Sequence, residues 1–83
     1  MVKPAALLQR LLDGQRSISF RDFERILLAL GFSLDRIKGS HRIYVHPKVP
    51  RPYPVQPDGK EAKRYQIRDL LELMEAYGLH IEE

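Results

Sequence analysis

Apolar residues recur at three- and four-residue spacing in three stretches of the chain, and at two-residue spacing between the second and the third. The first pattern marks helices and the second strands. Pro4 suits the first turn of a helix, Ala5 to Leu12 are strong helix formers, and Asp13-Gly14 ends them. Leu7, Leu8, Leu11 and Leu12 make the apolar side of this helix, a stripe whose expected job is packing. Ser19 reads as the cap of a second helix: Asp22 follows three residues on, and Ile18 is placed to staple onto Phe23. Phe20, Phe23, Ile26, Leu27 and Leu30 continue it at helical spacing, and Gly31 closes it.

Phe32 to Ile37 alternates as a strand, Lys38-Gly39-Ser40 supplies a turn, and His41 to His46 forms a second strand. Strands joined so closely form an antiparallel hairpin. In the second strand His41, Ile43 and Val45 share one face and Arg42, Tyr44 and His46 the other. With Ile43 and Val45 turned to the core, His41 is expected on the core side, half-buried unless a bulge at Gly39 re-aims it. Five of the six prolines fall between Pro47 and Pro57, which excludes a helix there and leaves room only for a short edge strand, Tyr53-Pro54-Val55-Gln56. Asp58-Gly59-Lys60 is a turn, and a last helix spans Tyr65 to Tyr77 with Ile67, Leu70, Leu71 and Met74 inward, Asp69, Glu72 and Glu75 outward, and Gly78 at its end. The predicted fold class is α+β: a small antiparallel three-stranded sheet with helices on one face.

Eighty-three residues, 43% of them hydrophobic, suggest one domain with a modest core and no large cofactor cavity. We divide it into an N-terminal helix, residues 1–16, and a core, residues 17–79. The chain has no cysteine, which removes disulfides, thiolate metal sites and thiol nucleophiles and suits a reducing compartment. The opening residues are too short in apolar character for a signal peptide or a membrane span, so a cytoplasmic protein without membrane contact is expected. Charge is divided along the chain. From Arg36 to Arg64 eight Lys or Arg face Asp58 and Glu61, a net +6, whereas Tyr65 to Glu83 carries a net −4. A basic segment of this kind is either a solvated surface or a nucleic-acid footprint.

Within that segment His41 stands where the turn becomes the strand, among Arg36, Lys38 and Arg42, so an anion reaching the imidazole arrives in a positive field. Lys63, Arg64 and Arg68 crowd the start of the last helix, where the dipole is already positive; either phosphate visits this end or Glu61 and Asp69 neutralise it locally. His46 points to the face opposite His41, so the two cannot chelate one ion, and no metal site is expected. His80 is expected on the surface. Tyr44 and Tyr53 either stack on bases or cover the exposed face of the sheet.

Four features, in order and at this spacing, resemble the HicA toxin family, the ribonuclease half of HicA–HicB toxin–antitoxin pairs. They are Leu30-Gly31-Phe32 after the second helix, Gly39-Ser40-His41-Arg42-Ile43-Tyr44, Gly59-Lys60-Glu61, and Ile67-Arg68-Asp69-Leu70-Leu71. The resemblance spans roughly residues 20–79. It implies a fold similar to double-stranded RNA-binding domains (α-β-β-β-α), a metal-independent cleavage of messenger RNA without cofactor, His41 as the catalytic residue, and a HicB-like antitoxin that covers the site. The chain departs from the common pattern in three places: Gln56 stands where many members carry a second histidine, Tyr65-Gln66 replaces Gly-Thr, and residues 1–16 are additional. Metal-free cleavage needs a base for the 2′-hydroxyl, positive charge or donors at the phosphate, and an acid for the leaving oxygen. His41 is the candidate base or acid; Lys38, Arg42 and Lys60 are candidate phosphate ligands, with Lys63, Arg64 and Arg68 beyond them. Ser40 can donate a hydrogen bond, and Gly39 allows close backbone approach. The alternative is a small RNA-binding module without catalysis.

Overall fold

The computed structural model describes residues 2–81; Met1 and the last two residues of the acidic tail, Glu82 and Glu83, lie outside them. The elements are α1 (Pro4–Leu12), α2 (Phe20–Ala29), β1 (Ser33–Lys38), β2 (His41–His46), β3 (Val49–Val55), β4 (Pro57–Asp58), β5 (Glu61–Ala62) and α3 (Arg64–Tyr77). Strands β1, β2 and β3 form one antiparallel sheet in that order, and β4–β5 a miniature hairpin. From α2 to α3, with that hairpin inserted, the order is the α-β-β-β-α expected from the resemblance. No helix among the described residues is long and apolar enough to cross a membrane.

The helices form where their signals stand. Ser19 Oγ accepts from the Asp22 backbone N–H at 3.1 Å and caps α2, while Pro4 opens α1 and Gly78, at φ 64°, closes α3. The Asp22 carboxylate does not reach back to Ser19; it holds Arg25 at 3.2 Å. Phe23, Ile26 and Leu27 of α2, Val55 of β3 and Leu70 of α3 are fully buried, which locates the core between the two long helices and one face of the sheet. Each contributes about 1.5–3 kcal/mol by leaving water. α1 adds Leu7, Leu8 and Leu11 to the same cluster, but Leu12 faces solvent rather than completing the stripe.

Two expectations about the sheet are corrected. First, β2 turns its other face to the core: Tyr44 is 2% exposed, with Arg42 and His46 on its side, while His41 is exposed on the face away from the helices. The cause is Glu24 of α2, whose carboxylate accepts from the Tyr44 hydroxyl at 2.5 Å and gives the buried phenol a partner that Ile43 and Val45 do not need. Second, the third strand is seven residues long and runs through Pro50, Pro52 and Pro54. Pro54 lies opposite Ile43, so that pair exchanges no hydrogen bond and the missing N–H faces the free edge of the sheet. Pro50 and Pro52 fall where the register against β2 shifts, a stretch that makes few demands on their nitrogens.

Candidate functional site

The β1–β2 connection is a two-residue turn. Lys38 pairs with His41 across it, Gly39 takes φ 62°, and no non-glycine residue of the described chain has a positive φ. A glycine first and an ordinary residue second is the type II′ arrangement, which matches the twist of the strands it joins. His41 therefore leaves the turn as the first residue of β2, exposed, with Lys38 opposite and Ser40 beside it. It makes no hydrogen bond or ion pair among the described residues.

From this end of the sheet the chain runs on to the other candidate cations. Arg42 pairs with Val55, so β2 starts where β3 finishes, and the chain then passes directly into β4–β5 and the first turn of α3. The β4–β5 turn is tied to the start of α2: Phe20 N–H donates to the Lys60 carbonyl at 2.8 Å, Ala62 N–H donates to the Ile18 carbonyl at 3.0 Å, and Ser19 bridges Glu61. The backbone of Lys60 is thus held beside the cap of α2 while its side chain is exposed. Lys63 and Arg64 begin α3 with no side-chain cap and no acidic residue in the first turn. Lys63 Nζ lies 5.8 Å from the Tyr65 ring centroid, and Arg68 is paired loosely with Asp69 at 3.7 Å. Between this helix start and the end of α1 an open groove of about 1160 Å³ is floored by Leu11, Ile67 and Leu71 and edged by Arg16, Lys63 and Arg68.

Arg42 stands apart from the other cations. It lies on the helix side of the sheet, its guanidinium 3.3 Å from Glu24 and 6.0 Å from the Phe20 ring centroid. The two tyrosines are also on that side, not on the outer face. Burial first, and then the hydrogen bond to Glu24, holds the Tyr44 phenol far above its usual pKa; burial does the same for Tyr53, whose hydroxyl donates to the Gln66 carbonyl at 2.8 Å. Both rings belong to the core, which corrects the expectation that they stack on bases or cover the open face. His46 is structural. Its Nδ1 accepts from Lys48 N–H at 3.0 Å, so Nε2 carries the proton and donates to the Leu30 carbonyl at 2.9 Å, with the ring edge-on to Phe32. Gly31 is required beneath it, because a Cβ there would stand 3.0 Å from Nε2 on a backbone at φ 103°. His80 is exposed, as expected. Among the described residues no three His, Asp or Glu side chains converge as a metal-holding group.

Two residues escaped the sequence reading. Glu24 anchors both Tyr44 and Arg42; the signal was an acid flanking the apolar stripe of α2. Gln66, 2% exposed, turns its carboxamide to Gln56, donating to that residue's carbonyl at 3.0 Å and accepting from its N–H at 2.9 Å. It prolongs the hydrogen bonding of β3 by one residue. Continued past the Arg42–Val55 pair, the β2–β3 register sets Gln56 across from His41.

Compared with models of protein families, residues 20–76 match the one described as HicA toxin of bacterial toxin–antitoxin. No curated protein and no solved structure matches the chain. The matched span runs from the first residue of α2 almost to the end of α3 and leaves α1 outside.

Proposed function

That this chain belongs to the HicA toxin family of bacterial toxin–antitoxin systems is the premise from which we propose its activity: metal-independent cleavage of messenger RNA, with His41 as the proton-transfer residue. The observation that supports this best is an exposed imidazole without a partner among the described residues, beside a two-residue turn, opposite Lys38 and at the end of the sheet from which the chain runs on to Lys60, Lys63 and Arg64. The neutral His41 imidazole takes the proton of a 2′-hydroxyl. The freed oxygen forms its bond to phosphorus as the bond to the 5′-oxygen breaks, leaving a 2′,3′-cyclic phosphate, and the departing oxygen collects a proton from the imidazolium or from water. Lys38 and Lys60 offset the charge gathering on the phosphate, aided by the Ser40 hydroxyl and by backbone at Gly39. Lys63, Arg64 and Arg68 hold the flanking phosphates. Arg42 serves from beneath, fixed by Glu24, and steadies the strand that carries His41. A HicB-like antitoxin silences the protein by covering this end of the sheet.

Incubating the purified protein with end-labelled RNA in excess chelator tests the reading. Products that end in a 2′,3′-cyclic phosphate support it, and cleavage only on addition of a divalent ion overturns it. One observation favours a second reading, RNA binding without catalysis: a single imidazole is present at this end, with Gln56 at the register position across from it. Salt-dependent binding with no cutting under any condition selects that reading. Under either one, Lys63→Ala and Arg64→Ala should each flatten the dependence of log K on log salt by about 0.7, the share of one phosphate contact on a single strand.

A further inference from the structure

The two edges of the sheet are treated differently. Along β3, residues 50, 52 and 54 are prolines, so three of its seven positions have no N–H and no further strand can pair continuously there. Along β1 there is no proline, and all six residues are exposed. The ladder shows which of its backbone groups are free. Because Ile43 and Pro54 form a non-bonded pair, Ile43 directs its N–H and C=O to β1, and its neighbours Arg42 and Tyr44 direct theirs to β3. The residues of β1 opposite those two neighbours, Ile37 and Leu34, therefore point their own N–H and C=O out of the sheet. Their side chains lie on the helix side and are 58% and 41% exposed. Leu28, 56% exposed, lies one helical turn beyond Glu24, whose carboxylate reaches Tyr44 of β2.

We propose that β1 pairs with the β1 of a second copy of this chain, antiparallel about a two-fold axis between Asp35 and Arg36, to make a continuous six-stranded sheet. The six residues Ser33–Lys38 are complementary to themselves in that register. Leu34 meets the partner's Ile37, both of them outward-directed, so each pair exchanges its N–H and C=O. Asp35 meets the partner's Arg36, and Ser33 the partner's Lys38. A charged edge with a bulge, as between Leu34 and Arg36 here, ordinarily repels strands. About this axis the bulge faces its own copy and Asp35 and Arg36 each meet their opposite, so the same features select one register. Leu34, Ile37 and Leu28 of both copies then form one apolar strip on the helix side. The contact buries less than about 1,200 Å², the range of weak, concentration-dependent association. Both His41 turns stay uncovered, at opposite ends of the joined sheet, so the pairing stands whether or not the protein cuts RNA.

Sedimentation equilibrium between micromolar and millimolar concentrations tests this. The mass of the intact chain should rise from 9.7 kDa towards twice that value. Leu34→Pro and Ile37→Pro each remove an outward N–H without cutting the β1–β2 ladder and should hold the protein at the single-chain mass. As a milder probe, the Leu34→Cys/Ile37→Cys double variant, in a chain otherwise free of cysteine, should oxidise to a covalent dimer. Non-reducing electrophoresis separates this product from an internal bridge, which would keep the single-chain mass. The proposal is overturned by a single-chain mass at millimolar concentration, by dimers that persist undiminished in both proline variants, or by failure of the double variant to cross-link between copies. Protection of the Leu34 and Ile37 amides only on adding an antitoxin also overturns it, because the edge then serves another protein's strand.

Discussion

Replacing His41 with alanine should abolish RNA cleavage, by about 10²–10⁴-fold, and leave RNA affinity within a factor of about two. The first figure is the usual contribution of a positioned proton-transfer group. The second follows from where the imidazole stands: exposed and without a hydrogen bond or ion pair to the rest of the described chain. Folding should be unaffected for the same reason, which makes the variant a clean probe. Single-turnover cleavage and filter binding on the same preparation separate the two quantities. Equal cutting by both proteins would move catalysis to another group, and equal loss of cutting and binding would mean that His41 is a phosphate ligand.

The Gln66→Leu substitution should lower stability by about 2–4 kcal/mol. The carboxamide of Gln66 meets both backbone groups of Gln56, and an unpaired buried donor or acceptor costs about 1–3 kcal/mol. Leucine fits the space but returns neither bond. For a chain of this length, with total stability of about 4–12 kcal/mol, such a loss is a large fraction. Urea unfolding followed by circular dichroism measures it. A change below about 0.5 kcal/mol would show that solvent satisfies Gln56 unaided. Because Gln56 lies across from His41 in the register, the variant should also cleave RNA more slowly at temperatures where it remains folded.

The features legible in the sequence are those decided within a few residues. Ser19 and Asp22 mark the start of α2, Gly39 the tight turn that presents His41, and Gly78 the end of α3; each acts through backbone it touches directly. The features that escaped are settled at long range. Both faces of β2 carry apolar residues, and alternation cannot rank Tyr44 against Ile43 and Val45; the choice is made by Glu24, twenty positions away in the chain. The prolines shorten the expected third strand to Tyr53-Pro54-Val55-Gln56, because a sequence does not reveal which side of a strand will lack a neighbour. β4–β5 is too short to show a pattern and exists because Ile18 and Phe20 bond to it. Gln66, polar at a buried helical position, has meaning only once Gln56 is beside it. The candidate site divides along the same line: the turn with His41, Lys38 and Ser40 is local and was visible, whereas the engagement of Arg42 by Glu24 and Phe20 was not.

Gly39 has open space around it. A Cβ built on that residue meets nothing within 4 Å, so its φ of 62° alone calls for glycine. A right-handed residue is the natural occupant of such a backbone, and the natural genetic code supplies none. At 83 residues the chain is within reach of chemical synthesis by ligated segments. A D-alanine at position 39 would keep the turn, restrict the unfolded chain as L-alanine does elsewhere, and stabilise the protein by about 0.4–1 kcal/mol without touching His41. The residue that shapes the turn before His41 is thus one whose mirror-image replacement would strengthen the fold.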